Sequence, residues 1–134
     1  MDRLSKQQRS ALMAKVRVKD TDIEKLLGEI VRPFWKKERY RKNVKSLPGK
    51  PDIVFPESKI AIFADGDFWH GKGFKKWKSE ISVFWRKKIA GNILRDRLQD
   101  KALRKAGYRV LRFYGSKIKR NSQFVHNAIR QNLE

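Results

Sequence analysis

The chain has 134 residues, and its 34 lysines and arginines against 14 acidic residues give a formal net charge of +20. It contains no cysteine, which excludes disulfide bonds and thiolate metal sites. No stretch approaches the roughly 18 apolar residues of a membrane span, and the N-terminus lacks the apolar run of a signal peptide. We therefore expect one soluble intracellular domain. The charge favours nucleic acid as the partner, although a ribosomal or chromatin-like basic protein would share it.

The first third of the chain predicts two helices and a strand. Residues 6–16 form a polar helical segment, and a more amphipathic helix begins near Thr21, where Thr21 and Glu24 have the spacing of a capping box. Pro33 is expected to end or kink this second helix. Residues 38–46 are basic and form a candidate strand.

Two short apolar runs in the middle of the chain predict an antiparallel β-hairpin. Residues 52–55 and 60–64 are separated by four residues, a loop length that favours this connection. Residues 66–79 contain three glycines and many lysines, and they predict a loop.

The last part of the chain predicts two helices, a strand and a final helix. The first helix starts at Ser79 or Ser82, and the second covers residues 92–106. A strand follows over residues 108–114 and an amphipathic helix over 121–133. This order of elements is typical of an α/β layered domain.

Two aspartates stand at the ends of the predicted hairpin strands. Asp52 opens the first strand and Asp65 closes the second, so their carboxylates can converge at one end of the pair. Carboxylate oxygens are the ligands of hard cations such as Mg²⁺, which can activate water for attack on a phosphodiester. The alternative is that both are ordinary turn residues, as Asp often is. Asp67, on the following loop, can equally face water.

Three further side chains are candidates for proton transfer or structure. His70 follows Asp65 by five residues, where it can act as a general base or proton shuttle. His126 falls within an amphipathic helix and is predicted to be structural. Glu24 is either a capping residue or a carboxylate that helps to orient a metal, and its spacing from Thr21 favours the cap.

Aromatic and basic residues are interleaved after the hairpin, a pattern suited to gripping phosphates and stacking on bases. The aromatic residues are Phe68, Trp69, Phe74, Trp77, Phe84 and Trp85, and the basic ones are Lys72, Lys75, Lys76, Lys78, Arg86, Lys87 and Lys88. The alternative is a role in the core, which applies first to Phe84 and Trp85 at the start of a helix.

Motifs around these residues match one protein family over nearly the whole chain. The matching segments include Asp20-Thr21-x-Ile23-Glu24-Lys25, Leu47-Pro48-Gly49-Lys50-Pro51-Asp52, Gly66-x-Phe68-Trp69-His70, Phe84-Trp85-x-x-Lys88-Ile89, Arg95-Asp96-Arg97 and Gly107-Tyr108-Arg109-Val110-Leu111. On these segments the chain resembles the very short patch repair (Vsr) endonucleases, strand-specific nickases that act at T:G mismatches. The resemblance implies an α/β, restriction-endonuclease-like three-layer core, with a mixed central β-sheet flanked by helices. It also implies one domain over residues 1–134, of which 1–19 are an N-terminal DNA-contacting arm.

The resemblance also implies roles for individual residues. The family's metal-binding aspartate corresponds to Asp52, its catalytic histidine to His70, and its helix glutamate to Glu24, which favours the functional interpretation of Glu24 over the cap. Asp65 is expected to supply a second metal carboxylate. The residues that wedge into or contact the duplex correspond to Met13, Phe68, Trp69, Trp85, Lys88 and Asn92.

One departure from the family concerns zinc. Better-known members hold a structural zinc with cysteines and a histidine around the Gly-x-Phe-Trp-His segment, whereas here Asp67 stands at one cysteine position and Lys72-Gly73-Phe74 follows. We therefore expect no zinc, and we expect packing of Phe74 and Trp77 to hold the loop. The expected cofactor is Mg²⁺, with Mn²⁺ as a substitute.

Together these observations predict a Mg²⁺-dependent DNA endonuclease that nicks one strand at T:G mismatches in DNA repair. The expected substrate is double-stranded DNA with a T:G mismatch, and the expected enzyme is a monomer in the cytoplasm or nucleoid of a prokaryote. One alternative is a restriction-like nuclease or nickase that acts on matched DNA. A second alternative is a non-catalytic mismatch-binding protein.

Overall fold

Helices lie on both faces of a four-stranded sheet in the computed structural model, which describes residues 5–134 apart from the side chains of Arg9 and residues 12–20. The predicted DNA contact Met13 lies outside these described side chains. The helices are α1 (Lys6–Val31), α2 (Phe74–Trp77), α3 (Val83–Lys105), α4 (Gly115–Arg120) and α5 (Ser122–Leu133). The strands are β1 (Arg41–Lys42), β2 (Ile53–Phe55), β3 (Ile60–Asp65) and β4 (Arg109–Tyr114). Short 3-10 helices cover Arg32–Lys36 and Lys78–Glu80.

The sheet is mixed, with the strand order β1-β2-β3-β4. β2 pairs antiparallel with β1 and with β3, and Ile53 lies opposite Ile62. β4 runs parallel to β3, so a crossover through α3 connects them, and Asp65 and Tyr114 end the two strands side by side. The predicted hairpin and the predicted α/β class with a mixed sheet are therefore confirmed, and the architecture is that of a restriction-endonuclease-like core.

The alternation of side chains along β3 determines which helix covers each face of the sheet. Ile60 and Ile62 are fully buried in a core shared with α1, α4 and α5. Ala61 and Phe63 point to the opposite face, where they pack with Leu103 of α3. The three layers are thus α1 with α4 and α5, the sheet, and α3. Asp65 shares the parity of Phe63 and therefore faces α3.

The boundary predicted between the first two helices is wrong, because α1 is continuous over Lys6–Val31. Thr21 lies inside α1, so it does not cap a helix, and Glu24 is not part of a capping box. The capping box lies at Ser5 and Gln8, whose side chains each accept the other residue's backbone N–H. The helix ends before Pro33, as predicted.

The second half of the chain also differs from the prediction in its boundaries. α3 is one continuous helix that Ser82 caps, where two helices were expected. Gly91 lies at an exposed position of this helix, where its low propensity costs about 1 kcal/mol and the buried inner face outweighs it. Of the candidate strand 38–46, only Arg41–Lys42 forms a regular strand, although Asn43 and Val44 continue the backbone hydrogen bonds to Asp52 and Pro51; the short α4 was not predicted. No helix among residues 5–134 is long and apolar enough to cross a membrane.

Candidate active site

The position of Asp52 follows from the register of the hairpin. Asp52 immediately precedes β2, and Ile53 pairs with Ile62, so the Asp52 side chain reaches the end of β3. Its Oδ2 accepts a hydrogen bond from the backbone N–H of Ala64 over 2.7 Å. Because this bond ties the carboxylate to the neighbouring strand, the position of Asp52 is determined by the sheet and not by a mobile loop.

The Asp52 carboxylate lines an open cleft between the hairpin and α1. The cleft measures about 410 Å³, and its lining residues are Thr21, Glu24, Lys25, Gly28, Glu29, Arg32, Lys42, Asn43, Asp52 and Ile53. The pKa of Asp52 is raised from 3.8 to about 6, chiefly by burial and also by the charges of Glu24 and Asp65, while the Ala64 hydrogen bond and the charge of His70 oppose the rise. Oxygen ligands that share one cleft and repel each other fit a hard divalent cation, which would relieve that repulsion.

The raised pKa of Asp52 predicts that Asp52→Asn stabilises the metal-free protein at high pH. Ionising Asp52 in the folded state costs free energy, so its stabilising contribution is complete below about pH 3.8 and is lost as the pH rises through about 6. Urea unfolding in the presence of a chelator should show little difference from wild type at pH 4. At pH 8 the variant should be more stable by up to ~3 kcal/mol. An equal difference at both pH values would contradict this account.

His70 is held by a carboxylate that had no predicted role. Its Nδ1 lies 2.6 Å from Oδ2 of Asp96, on the inner face of α3, and 3.7 Å from Oδ1 of Asp65. Burial alone would lower the pKa of His70, but the hydrogen bond that His70 donates to Asp96 and the charge of Asp65 outweigh it, so the pKa is raised. A neutral His70 that donates from Nδ1 to Asp96 keeps Nε2 as a proton acceptor, which is the arrangement of a general base.

Arg112 links the carboxylates behind His70. Its Nη1 donates to both oxygens of Asp65 over 3.1 and 3.2 Å, and its Nε donates to Asp100 over 2.8 Å. The same Nη1 lies 3.7 Å from Oδ1 of Asp96, and the guanidinium lies over the Phe63 ring at 3.9 Å. The pKa of Asp65 is raised, because burial outweighs the opposing effects of His70 and Arg112. Asp65 and Asp96 are both at least nine-tenths buried.

One trio of these groups also has the spacing of a metal site. Asp65, His70 and Asp96 each offer a ligand atom, and these atoms lie within 4.8 Å of one another. The trio could hold a metal, but Arg112 already lies against Asp65 as a cation. The cleft at Asp52 therefore fits a divalent ion better than the trio does, because the contacts described for Asp52 include a hydrogen bond from a backbone N–H but no ion pair with a lysine or arginine.

The loop that carries His70 is fastened to the start of α4. The backbone N–H of Ser116 donates to Oδ1 of Asp67 over 3.1 Å, and Nζ of Lys72 donates to Oγ of Ser116 over 2.6 Å. Trp77 contributes as well, since its Nε1 donates to the carbonyl of Lys72 over 2.8 Å. Gly71 packs so closely on α3 that a Cβ there would lie 2.5 Å from Ile93. Polar contacts thus hold this loop together with the predicted packing of Trp77 against Phe74.

Phe68 and Trp69 lie in a cluster of aromatic rings beside His70. Phe68 stacks on Trp77, with ring centroids 5.9 Å apart and planes 14° from parallel, and it contacts Trp69 edge-on. Both residues of the predicted wedge are half-buried. Trp85 is only 3% exposed and packs beneath both of them. In this structure Trp85 supports the other two rings, and its predicted contact with DNA stays a prediction.

Lys88 and Asn92, the remaining predicted DNA contacts, both touch Trp69. Nζ of Lys88 lies 5.7 Å from the Trp69 ring centroid, and Nδ2 of Asn92 donates to the Trp69 carbonyl over 3.0 Å. One turn of α3 therefore orients Trp69 from the protein side. His126, by contrast, stacks on Phe34 with centroids 4.8 Å apart, which agrees with its predicted structural role.

Fold and site together define a class of protein, the nucleases with a restriction-endonuclease-like core. The family model that matches residues 1–76 is described as DNA mismatch endonuclease Vsr. Its match covers more than half of the chain, and the relatives below cover nearly all of it. The chain belongs to the Vsr family, and it is a DNA endonuclease. Nucleases of this family depend on a metal ion.

Relatives from several bacteria are similar along most of their length. The chain is 39% identical to the type II nicking enzyme V.NmeDIP of Neisseria meningitidis serogroup C, over 98% of this chain and 89% of that enzyme. It is 39% identical to the type II nicking enzyme V.HpaIIP of Haemophilus parainfluenzae, over 92% and 89%. It is 32% identical to the DNA mismatch endonuclease Vsr of Escherichia coli K12, over 94% and 81%.

Proposed function

We propose that this endonuclease nicks one strand of duplex DNA at a T:G mismatch, with Mg²⁺ as the metal. The observation that carries the proposal is the pairing of a tethered Asp52 with a His70 oriented by Asp96. Asp52 accepts from the backbone N–H of Ala64, and the next residue, Asp65, has its Oδ1 3.7 Å from Nδ1 of His70, so one strand end links the two groups. Hydrolysis of a phosphodiester needs both a site for a cation and an acceptor for a proton, and the two lie close together here.

Asp52 would hold the metal, with Glu24 across the cleft as a further oxygen ligand or an orienting group. When bound, the ion supplies charge stabilisation at the scissile phosphate and lowers the pKa of bound water. His70 would accept the proton of the attacking water through Nε2, while Asp96 holds the ring through Nδ1. Mn²⁺ is expected to substitute for Mg²⁺, because both accept carboxylate oxygens.

Phe68 and Trp69 would enter the base stack from one side, and Met13 is expected to do so from the other. Parting a base step costs a few kcal/mol, and a wobble pair lowers that cost, which gives one physical source of preference for a mismatch. The net charge of +20 supplies the attraction to the phosphate backbone, and we expect binding to weaken steeply with salt. The N-terminal segment 1–19 is proposed as a DNA-contacting arm of the single domain.

Cleavage of three otherwise identical duplexes tests this proposal. Each strand is labelled separately, the central pair is T:G, U:G or T:A, and each reaction is run with Mg²⁺ and with a chelator. We expect Mg²⁺-dependent nicking of the thymine strand of the T:G duplex, with the T:A duplex left intact. Gel filtration of the free protein and of the complex checks the expected monomer.

The same experiment separates the two alternatives. The similarity to type II nicking enzymes makes a nickase of matched DNA the second candidate. Equal cleavage of T:A and T:G would favour that candidate. Metal-independent binding to the mismatch, with no cleavage in several flanking sequences, would favour a protein that only binds mismatches.

A further inference from the structure

The trio of Asp65, His70 and Asp96 contains ligand atoms at metal-binding distances and also a resident cation. Ligand atoms of the three lie within 4.8 Å of one another. Arg112 projects from β4, the strand parallel to β3, and its Nη1 lies 3.1 Å from Oδ1 of Asp65. The positive charge that neutralises these carboxylates is therefore either a divalent ion or the Arg112 guanidinium.

The contacts of the carboxylates favour the guanidinium. Both oxygens of Asp65 accept from Nη1 of Arg112. Both oxygens of Asp100 accept from Nε, over 2.8 and 3.1 Å, and Oδ1 of Asp100 lies 2.7 Å from Nη2. Asp96 directs Oδ2 to His70, and its Oδ1 lies 3.7 Å from Nη1. Every carboxylate oxygen of these three residues thus already has a positively charged or hydrogen-bonding neighbour.

The surroundings of Arg112 make the guanidinium a fixed group. It lies over the Phe63 ring at 3.9 Å, and its side chain is only 17% exposed. A divalent ion on Asp65 and Asp96 would stand a few ångströms from this charge and would be repelled by it, since like charges interact strongly in a partly buried site. Arginine keeps its charge at any pH at which the protein is folded.

We propose that Arg112 occupies the place of a metal ion in the Asp65–His70–Asp96 cluster and acts as a positioning residue for His70. This inference rests on the proposed role of His70 as general base. It assigns the divalent ion to the Asp52 cleft alone, and it changes the role of Asp65 from the predicted metal ligand to a carboxylate that links Arg112 to His70. Among the residues that the structure describes, the divalent ion is then bound at Asp52 and not at the Asp65–His70–Asp96 cluster.

Paramagnetic broadening by Mn²⁺ tests the proposal without any measurement of cleavage. The chain has two histidines, so ring proton signals of His70 can be followed by NMR with His126 as the internal reference. All proteins compared carry Asp52→Asn, which removes the proposed metal site. Any broadening of the His70 signals then reports Mn²⁺ bound at the Asp65–His70–Asp96 cluster. We expect Mn²⁺ to leave the His70 signals sharp while Arg112 is present.

Removing the charge should open the cluster to the ion. In the double variant Asp52→Asn with Arg112→Met, Mn²⁺ is expected to erase the His70 signals and leave those of His126. Arg112→Lys should restore sharp signals, because it returns a cation. Arg109→Met, on the same strand but exposed, is the matched control and should behave as Asp52→Asn alone does.

Two results would overturn the proposal. The first is loss of the His70 signals in Mn²⁺ while Arg112 is present. This result needs no substitution at Arg112, so it can be obtained even if the Arg112 variants do not fold. The second is sharp His70 signals in Mn²⁺ when the Arg112→Met protein is folded. If the Met variant is unfolded, Arg112→Gln is used in its place, because glutamine keeps a hydrogen-bond donor for Asp65. Failure of wild-type cleavage would count against the proposed function and would leave these outcomes unaffected.

Discussion

Asp52→Asn is expected to reduce cleavage of T:G duplexes by about 10³-fold or more at saturating Mg²⁺. A metal ion contributes several kcal/mol of charge stabilisation, and each 1.4 kcal/mol corresponds to a factor of ten in rate. The amide keeps an oxygen that can accept from the Ala64 N–H, so the hairpin contact survives while the negative charge is lost. Single-turnover nicking rates across a Mg²⁺ titration measure the effect.

The controls for this variant separate chemistry from folding and binding. Asp22→Asn makes the same change at an exposed aspartate of α1 and should nick as wild type does. Affinity for the duplex in chelator should remain, or increase, because the variant lacks a negative charge near the phosphate. A wild-type nicking rate in folded Asp52→Asn would contradict the assignment of the metal to this carboxylate.

His70→Ala is expected to lower the nicking rate by about 10²–10⁴-fold, the usual contribution of a general base. Asp96→Asn should also be severely impaired, since the amide can present a donor to Nδ1 and so disfavour the tautomer that leaves Nε2 free; in acid–base triads this change costs up to about 10⁴-fold. Both are measured as single-turnover rates at pH 8, with binding in chelator as a check on substrate affinity.

The pH profile distinguishes a positioning role of Asp96 from a purely structural one. Asp96 raises the pKa of His70, so removing its charge should move the acid limb of the rate profile to lower pH. The plateau should fall at the same time. His126→Ala serves as the control for loss of a histidine, and its profile should overlay that of wild type at temperatures where it is folded. An Asp96→Asn profile with an unmoved limb would argue that Asp96 does not act through His70.

Much of the fold follows from local patterns in the sequence. The hairpin was predicted because residues 52–55 and 60–64 are short apolar runs at a hairpin spacing, and both strands formed. The end of α1 was predicted because Pro33 cannot continue a helix. The continuity of α1 was harder to predict from the sequence, because Thr21 resembles an N-cap. Only the packing of Ile23 and Leu27 on the sheet shows that α1 continues past Thr21.

The candidate site divides in a similar way. Asp52, Asp65 and His70 were identified because they lie within twenty residues of one another along the hairpin and its loop. Asp96 and Arg112 come from α3 and β4, and their approach depends on tertiary packing that no local spacing encodes. The one available signal was Asp96 in the shared Arg95-Asp96-Arg97 segment, which carried no indication of its partner.

The Arg112 network has a consequence for how this lineage can change. A mutation that removes Arg112 alone leaves Asp65 and Asp100 without their hydrogen-bond donor, and loss of either aspartate alone removes two of the four hydrogen bonds that the guanidinium donates to them. Each single step is therefore disfavoured, and the residues at 65, 100 and 112 should be exchanged together or not at all. Homologues with an uncharged residue at the position of Arg112 should accordingly carry residues other than aspartate at positions 65 and 100. Substitutions at these three positions should therefore occur together.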